Sequence, residues 1–452
     1  MQDQIPDKIL EFYKKIEKAN FDVYFVGGSV RNLFLKLPVK DWDLTTSATP
    51  EDIQKLFPDS FYDNDFGTVG VPVELNEEKY IVEITTFRTE KGYTDRRHPG
   101  SVSWGKTIEE DLSRRDFTIN SIALNFEDKK EKVIDPYDGQ GDLSKKIVKA
   151  VGNPEQRFKE DALRLIRAIR FATVLDFQIE EKTWEAVTAD SKLIQDISFE
   201  RVKIELMKIL ASNEPEKGIT LLKDSGLLQY IIPELLEGVG VSQSRPGRHH
   251  TEDVYTHNLL SLKYCPSIDP IVRFAALIHD IGKPRVEGKD EDGLVIFYNH
   301  EVEGVKMAEA ICQRLKFSKK EKEKVVMLIR WHMFNIDEKI TDAAVRRFIR
   351  RIGVENVEDM MDLRVGDRLG GGTQTAESWR LKLFRKRIED QLKPKPFSIE
   401  DMAINGNDVM TELKIKPSKQ VGEILNKLFE EVDEDLSKNN KDYLLKRLKE
   451  LN

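Results

Sequence analysis

The pattern of hydrophobic and polar positions divides the chain near residue 150. Before that point, short apolar runs typical of β-strands lie at residues 23–26, 41–46, 68–75 and 80–87. Thr49 and Pro50 suit the N-cap and first position of a helix that we expect to run through Phe57. This mixture of strands and short helices predicts an α+β domain over residues 1–150.

Beyond residue 150 the apolar positions recur with the spacing of an α-helix. Segments with this period lie at residues 157–174, 199–210, 271–281, 302–315 and 319–331. The helical pattern is interrupted by Pro-Gly, triple-glycine and Lys-Pro-Lys-Pro sequences at residues 246–247, 370–372 and 393–396. We therefore predict that the remainder is mostly helical, with domains at residues 151–245, 246–370 and 371–452.

The composition is typical of a soluble, highly charged protein. Of the 452 residues, 39% are hydrophobic and 34% are charged, and no apolar run approaches the length of a membrane span. The first residues lack the pattern of a secretory signal, so we expect a cytoplasmic protein without a membrane partner. The formal charge of −8 disfavours uniform coating of nucleic acid but allows local basic patches. Cys265 and Cys312 lack the spacing of a disulfide framework or a zinc ribbon.

A glycine turn and a carboxylate pair lie close together in the first domain. Gly28 ends a glycine pair after the first strand, and Ser29 can begin a helix whose N-terminus attracts phosphate. Arg31 would then face a triphosphate. Asp41 and Asp43 alternate with a tryptophan, so on a strand both carboxylates project to the same side and can hold one or two Mg²⁺ ions. Two such ions activate a hydroxyl and stabilise leaving pyrophosphate, which predicts nucleotidyl transfer.

This order of motifs resembles that of the polymerase-beta-like nucleotidyltransferases. The segments described below narrow the resemblance to the class II tRNA nucleotidyltransferases, which are the CCA-adding enzymes and their bacterial poly(A) polymerase relatives. The resemblance extends from Phe25 to about Glu205 and implies a polymerase-beta-like head followed by an all-α neck, body and tail. The family commonly has Asp after the arginine of the glycine turn. Asn32 stands there in this chain, which keeps hydrogen bonding but loses a charge.

Two further segments of the head match the family pattern. Glu83 lies between apolar strand residues and is either a third catalytic carboxylate, which the resemblance favours, or a solvent-facing residue. Residues 114–120 resemble the family signature Arg-Arg-Asp-x-x-x-Asn. The resemblance implies that Arg115 contacts nucleotide phosphate and that Asp116 belongs to the catalytic set. Asp116 and Asn120 can also cap a helix that begins between them.

Residues 88–99 are polar and carry charges of both signs without a clear period. This pattern predicts a mobile loop, with an ordinary surface hairpin as the alternative. In the class II family, a flexible loop at this place is needed for the switch from adding C to adding A. The resemblance therefore favours an enzyme that adds A.

Asp161 and Arg164 offer a hydrogen-bonding pattern that can read a base. On one helix they would be neighbours, one accepting and one donating hydrogen bonds. Cytosine and adenine both present an amine beside an acceptor nitrogen, whereas uracil and guanine present the reverse order. The pair could thus select C and A without a nucleic-acid template. An ordinary ion pair on an amphipathic helix is the alternative. Arg167 and Arg170, further along the helix, serve phosphate binding or structure.

Six of the seven histidines lie between residues 249 and 332. His279 and Asp280 close an apolar helix, and this segment resembles an HD phosphohydrolase domain. The resemblance implies a two-metal centre built from His257, His279, Asp280, His300, His332 and Asp367. Asp280 would bridge the metals, and the ligand types suit Mn, Fe, Ni or Mg ions. His249 and His250 have no assigned role.

The C-terminal segment from Ile404 to Gly422 resembles the RNA-binding portion of HD-containing relatives. Lys416, Lys419 and Gly422 would lie at a helix start that can hold an RNA phosphate. Ser418 stands where glycine is common in those relatives. A capped helix in a small bundle is the alternative.

Together these features predict an Mg²⁺-dependent enzyme that adds CCA to the 3′ end of tRNA from CTP and ATP and releases pyrophosphate. An A-adding enzyme or a poly(A) polymerase of the same fold is the nearest alternative. An HD phosphohydrolase that acts on nucleotides or RNA ends, with its own divalent metal, is the alternative from another class. We infer no obligate protein partner.

Overall fold

The structure, a computed structural model, describes residues 1–62, 67–75, 78–93, 99–127, 130–243, 252–392 and 398–450. The chain forms two compact units. The first comprises Met1–Val239, Ile268–Phe274 and Glu309–Lys322, and the second comprises Gly240–Ser267, Ala275–Ala308 and Glu323–Asn452. The four domains predicted from the sequence stay a prediction, and two of the sequences that suggested boundaries, at 246–247 and 393–396, lie outside the described residues.

A seven-stranded sheet dominates the first unit. The strands of the described residues are β1 (Val23–Val26), β2 (Asp43–Thr46), β3 (Phe61–Tyr62), β4 (Thr68–Leu75), β5 (Glu78–Thr86), β6 (Arg88–Tyr93), β7 (Pro99–Trp104), β8 (Ala123–Glu127), β9 (Lys130–Ile134), β10 (Ile147–Val148), β11 (Gln178–Ile179), β12 (Gly288–Lys289) and β13 (Val295–Ile296). The sheet has the order β3-β4-β5-β2-β1-β8-β9, and the other strands pair as β6-β7, β10-β11 and β12-β13. Within the sheet only β2 and β5 are parallel, and their register places Asp43 beside Glu83.

Helices make up most of the rest of the described chain. They are α1 (Asp7–Lys18), α2 (Gly28–Leu35), α3 (Pro50–Leu56), α4 (Ile108–Ser113), α5 (Gly139–Lys145), α6 (Pro154–Glu160), α7 (Leu163–Leu175), α8 (Glu181–Ala189), α9 (Phe199–Leu210), α10 (Pro215–Asp224), α11 (Leu228–Ile231), α12 (Pro233–Leu236), α13 (Val254–Tyr264), α14 (Pro270–Ile278), α15 (His300–Arg314), α16 (Lys319–Trp331), α17 (Asp342–Ile352), α18 (Val357–Gly370), α19 (Trp379–Leu392), α20 (Gly406–Leu413), α21 (Lys419–Glu434) and α22 (Lys441–Glu450). Among the described residues, none of these helices has the length and apolarity needed to cross a bilayer.

The predicted fold class, an α+β head followed by a mostly helical chain, is confirmed. β1, β4, α9 and α16 have the predicted bounds. α3 begins at Pro50, and its N-cap Thr49 accepts a hydrogen bond from the Asp52 backbone N–H at 3.3 Å. β2 begins at Asp43 rather than at residue 41, so Asp41 lies in the bend before the strand.

Two other predictions about local structure are wrong. The single helix expected over residues 157–174 is broken, because Asp161 between α6 and α7 has extended backbone angles (φ −138°, ψ 102°). Residues 88–93, expected in a mobile loop, form β6, which pairs antiparallel with β7 and so agrees with the alternative of a hairpin. Residues 94–98 of the predicted loop lie outside the described residues.

An aromatic cluster holds α1 against the sheet. Phe25 of β1 is fully buried, with its ring centroid 5.5 Å from Tyr13, 5.8 Å from Trp42 and 6.2 Å from Phe126. The Tyr13 hydroxyl accepts a hydrogen bond from the Phe126 backbone N–H at 3.1 Å. Trp42 precedes β2 directly, so this packing fixes the segments that carry the glycine turn and Asp43.

In the second unit, glycines bring α13 and α18 into close contact. A Cβ atom on Gly366 would lie 2.5 Å from the Ser261 carbonyl oxygen, and one on Gly370 would lie 2.5 Å from the Ser261 hydroxyl. Any larger residue at either position would push the two helices apart. Because α13 carries His257 and α18 carries Asp367, this contact brings two predicted metal ligands together.

Candidate functional site

The glycine turn of the head brings an arginine and a carboxylate against the backbone. Gly27 has a positive φ of 69°, and a Cβ on it would lie 3.0 Å from Arg115 Nη1 and 3.3 Å from Asp43 Oδ2. α2 begins at Gly28, one residue earlier than predicted. The Ser29 hydroxyl donates to the last carbonyl of β1 at 2.7 Å and so fastens the turn to the strand.

Asp43 occupies a strongly anionic position. Burial and the charges of Glu83 and Asp41 together raise the pKa of Asp43 to about 7, although Arg115 and Arg31 act against them. The parallel register holds Glu83 beside Asp43 despite this repulsion. A cluster of carboxylate oxygens with excess negative charge fits a hard divalent cation such as Mg²⁺. The structure thus brings together Asp41, Asp43 and Glu83, three of the four head carboxylates predicted for catalysis.

Asp111, which the sequence did not single out, anchors both arginines of the signature. Its side chain is fully buried, with one oxygen 2.6 Å from Arg114 Nη2 and the other 3.0 Å from Arg115 Nη2. The sequence could have indicated this role, because Asp111 precedes Arg114 by three positions and Arg115 by four, and residues at these spacings on a helix are neighbours. Asp111 therefore positions Arg115 at the glycine turn.

Both carboxylate oxygens of Asp116, which the resemblance places in the catalytic set, accept hydrogen bonds in the structure, and its catalytic role stays a prediction. One of its oxygens accepts hydrogen bonds from the Phe117 backbone N–H at 2.8 Å and from Asn120 Nδ2 at 3.0 Å. The other accepts from Arg167 Nε and Nη2 at 2.9 and 2.6 Å. Burial alone would raise the pKa of Asp116, but Arg167 and Asn120 hold it well below its usual range. Both oxygens are already engaged, so Asp116 links the head to α7.

Arg167 and Arg170 share a second buried carboxylate that the sequence did not indicate. Glu205 of α9 is 3% exposed and lies 2.6 Å from Arg170 Nε and 3.8 Å from Arg167 Nη1. Burial and the charge of Arg167 lower the pKa of Arg170 to about 10. Of the two roles left open for these arginines, the contacts favour structure.

Asp161 and Arg164 are not the neighbours on one helix that the sequence predicted. Asp161 lies in the break before α7, where one oxygen accepts the Leu163 backbone N–H at 3.1 Å and the other is 3.3 Å from Arg201 Nη2. Arg164 is buried and lies 3.0 Å from Glu160, and it donates to two backbone carbonyls at 3.0 and 2.8 Å. Glu160 thus fixes the Arg164 side chain, while Asp161 binds the first backbone N–H of α7.

The residues predicted for a second metal centre come together in the second unit. His257 lies on α13, and His279 and Asp280 follow α14. His300 begins α15, His332 follows α16, and Asp367 lies on α18. All are buried or partly buried. Two sets of three, which share Asp280, have ligand atoms within 4.8 Å of one another.

Asp280 stands between two groups of imidazoles. Its Oδ2 lies 3.2 Å from His257 Nε2 and 3.3 Å from His279 Nε2. Its Oδ1 lies 3.2 Å from His300 Nε2 and 3.7 Å from His332 Nε2. Two oxygens of one carboxylate, each facing two imidazole nitrogens, are the donor set of a bridging ligand.

Backbone carbonyls orient three of the imidazoles. Nδ1 of His279, His300 and His332 lies 2.9, 2.9 and 2.7 Å from the carbonyl oxygen of the residue three positions earlier. A carbonyl only accepts, so in each case Nδ1 carries the proton and Nε2 is left to bind a metal. Asp367 adds an oxygen 3.3 Å from His257 Nε2. The residues therefore fit a pair of divalent ions.

A cavity of about 360 Å³ adjoins this centre. Lys283 and Arg364 line it with positive charge, while the exposed side chains of Tyr298 and Met333 add apolar surface. Lys283 Nζ lies 2.5 Å from Asp280 Oδ2. The cavity thus offers cations for an anionic ligand and an aromatic ring for a base.

Two remaining predictions concern the C-terminal tail and the unassigned histidines. α21 begins at Lys419, directly after Ser418, and Lys419 is exposed, as are Lys416 and Gly422. Their role in RNA binding stays a prediction. His249 and His250 lie outside the described residues.

Comparison with known proteins identifies the family. Residues 23–149 match the poly(A) polymerase head domain, residues 176–238 match an RNA- and SrmB-binding site of polymerase A, and residues 294–448 match tRNA nucleotidyltransferase domain 2. The CCA-adding enzyme of Ligilactobacillus salivarius is 33% identical over 99% of this chain and 98% of its own length. The chain belongs to the CCA-adding enzymes. That of Streptococcus thermophilus is 41% identical over 57% of this chain and 64% of its own length.

Solved structures of CCA-adding enzymes share the fold. The Bacillus stearothermophilus CCA-adding enzyme in complex with CTP matches with a TM-score of 0.72 and 25% identity, over 98% of this chain and 97% of that one. The Thermotoga maritima CCA-adding enzyme complexed with tRNA matches in fold with a TM-score of 0.56 and 20% identity, over 99% of this chain and 96% of that one. The predicted family and the predicted architecture of a nucleotidyltransferase head with a helical body are thus confirmed. The HD interpretation of the second centre stays a prediction.

We expect Asp111→Asn to weaken nucleotide binding by about tenfold or more, because the amide cannot hold two guanidinium groups and Arg115 would leave the glycine turn. Binding of CTP by isothermal titration calorimetry tests this. Glu109→Gln, an exposed change on the same helix, is the matched control. Unchanged CTP affinity in Asp111→Asn, with the fold intact, would show that Asp111 does not position Arg115.

Proposed function

We propose that this chain adds CCA to the 3′ end of tRNA from CTP and ATP and releases pyrophosphate. The observation that carries the proposal is the β2-β5 register, which gathers Asp43 and Glu83 beside the glycine turn. Arg31 and Arg115 supply positive charge at the same place. The family of the chain supports this reading, because a relative that matches it over nearly its whole length is a CCA-adding enzyme.

The head residues have different roles in nucleotidyl transfer. Asp41 and Asp43 would hold Mg²⁺ with Glu83 beside them, and the metal would supply Lewis acidity for the reacting and leaving oxygens. Arg31 and Arg115 bind the triphosphate at the N-terminus of α2. The 3′-hydroxyl of the RNA attacks the α-phosphate and releases its proton to solvent, a new oxygen–phosphorus bond forms, and the bond to the leaving pyrophosphate breaks.

Asp161 and Arg164 select the base in this proposal. Among the described residues, Arg164 uses three of its five N–H donors in hydrogen bonds to Glu160 and two carbonyls. Two donors are left to bind a base. Asp161 is about one-fifth exposed, so its carboxylate can accept a bond from an exocyclic amine. Because Glu160 holds Arg164 in place, a base with the reverse donor order would leave buried groups unpaired.

We expect labelled CTP and ATP, with Mg²⁺, to extend tRNA transcripts that lack CCA by two C and then one A. Asp41→Ala should abolish incorporation, because it removes a metal ligand, whereas Asp59→Ala, an exposed carboxylate of the head, should leave it unchanged. Product length and sequence are read on denaturing gels.

The same assay separates the alternatives. Addition of A only to CC-ended RNA would identify an A-adding enzyme, and A tails on any RNA would identify a poly(A) polymerase. Absence of all incorporation by the wild-type chain would contradict nucleotidyl transfer.

We expect Asp161→Ala to lower incorporation of CTP and ATP by about tenfold or more, since the acceptor for the base amine is lost. The preference of the enzyme for CTP and ATP over UTP should decrease as well. Single-turnover incorporation of each nucleotide measures the ratio. Glu155→Ala, an exposed change on α6, is the control. An Asp161→Ala enzyme with wild-type selectivity would exclude Asp161 from base reading.

We further propose that the second unit hydrolyses phosphate esters. The supporting observation is that both oxygens of Asp280 face imidazole pairs, with Asp367 beside one pair. Divalent ions at such a centre supply Lewis acidity toward a phosphoryl group. Lys283 and Arg364 in the adjoining cavity would bind the substrate phosphate.

We expect the wild-type chain to bind Mn²⁺ or Ni²⁺ and to hydrolyse 2′,3′-cyclic AMP or p-nitrophenyl phosphate. Asp280→Asn should abolish the hydrolysis and lower the metal bound per chain to the share held by the head, while CCA addition persists, because the head does not use Asp280. Asp292→Asn, exposed on the turn between β12 and β13, is the control. Metal bound per chain, measured by inductively coupled plasma mass spectrometry, gives a readout independent of turnover. A wild-type chain that binds no metal at this centre and hydrolyses neither substrate would contradict the proposal.

A further inference from the structure

Neutral groups alone hold the Arg31 guanidinium in the head. Its Nε and Nη2 donate to Asn32 Oδ1 at 3.1 and 2.9 Å, and its Nη1 donates to Asn120 Oδ1 at 2.7 Å. Within the described residues no carboxylate forms an ion pair with Arg31. Two amide oxygens thus fix the direction of the side chain without cancelling its charge.

The neighbouring arginines are different. The Phe171 ring lies 5.2 Å from the Arg31 guanidinium, 5.3 Å from that of Arg167 and 3.9 Å from that of Arg170. Arg167 pairs with Asp116, and Arg170 pairs with Glu205. Each of these two cations therefore has its own buried anion.

Arg31 keeps both charge and hydrogen-bonding capacity for a ligand. Three of its five N–H donors are used on the two amides, which leaves two. Its Nη2 lies 3.6 Å from the place of a Cβ on Gly28, at the start of α2. The free donors are thus near a helix N-terminus, where a phosphate is favoured. Burial lowers the pKa of Arg31, and Arg167 lowers it further, as expected for a cation without a partner.

More distant carboxylates do not supply the missing partner. Asp116 and Asp43 act on Arg31 only through longer-range charge. Asp116 is already paired with Arg167. Asp43 faces Glu83, and in the proposed function it holds a cation.

We propose that Asn32 sets the affinity of this enzyme for the triphosphate by orienting Arg31 without neutralising it. The inference rests on the proposed function, in which Arg31 binds the triphosphate. A carboxylate at position 32 would place a negative charge about 3 Å from the guanidinium. It would compete with the polyphosphate for the same cation.

A purely structural role for Asn32 is the alternative. Its Nδ2 donates to the Pro38 carbonyl at 3.0 Å, which ties α2 to the segment leading to Asp41. Asn32→Asp and Asn32→Ala both lose this hydrogen bond. Asn32→Asp keeps an oxygen acceptor for Arg31 and adds a charge, whereas Asn32→Ala removes the acceptor and adds no charge. Weaker ligand binding by Asn32→Asp than by Asn32→Ala would therefore arise from the charge, not from the lost Pro38 hydrogen bond or from lost orientation of Arg31.

The test measures binding of inorganic tripolyphosphate and of CTP to the full chain by isothermal titration calorimetry, with KM and kcat for CTP on tRNA. We expect Asn32→Asp to weaken both ligands by about five-fold or more relative to Asn32→Ala. The KM should rise with little change in kcat, and the salt dependence of tripolyphosphate binding should become shallower. Thermal unfolding of both variants verifies the fold.

If Asn32→Asp does not fold, Arg31→Lys and Arg31→Gln test the same idea, because only the first keeps the charge. We then expect Arg31→Lys to bind tripolyphosphate more tightly than Arg31→Gln, and equal affinities would overturn the inference.

The outcomes also distinguish the inference from the function on which it rests. Equal binding by Asn32→Asp and Asn32→Ala, in an enzyme whose wild type adds CCA, would overturn the inference alone. A wild-type chain that binds neither CTP nor tripolyphosphate would overturn both.

Discussion

The parallel pairing of β2 with β5 is the constraint on which the head depends. Backbone hydrogen bonds of this ladder hold Asp43 beside Glu83, although the two carboxylates repel each other and burial makes the charge of Asp43 costly. The cations around the pair offset this cost in part. Asp111 keeps Arg115 there, and two amides keep Arg31 there. The head thus holds a buried negative charge in place, and this charge suits a divalent cation.

Elements with a clear apolar period could be predicted from the sequence, as α9 and α16 show. The break at Asp161 could not be predicted, because the helical period continues across it. The break is stabilised by the side chain of Asp161 itself, which accepts a hydrogen bond from the Leu163 backbone N–H. Buried anions were missed for a related reason. Asp111 and Glu205 look like ordinary surface residues until packing encloses them with arginines.

The six candidate ligands of the second unit could be named because their order along the chain is distinctive. Their geometry could not be predicted, since it depends on contacts that leave no pattern. The imidazoles of His279 and His332 are each turned by a carbonyl one helical turn back. A Cβ on Gly282 would lie 2.3 Å from the His300 carbonyl oxygen, so this glycine lets the segment after Asp280 reach α15.

The close contact of α13 with α18 has a consequence for how related sequences are compared. Gly366 and Gly370 bind nothing, yet a methyl group at either would collide with Ser261 and move Asp367 away from His257. A homologue could therefore retain all six histidine and aspartate ligands and still be unable to form the centre. The small residues of α18 are a better marker of an intact second site than the ligands alone.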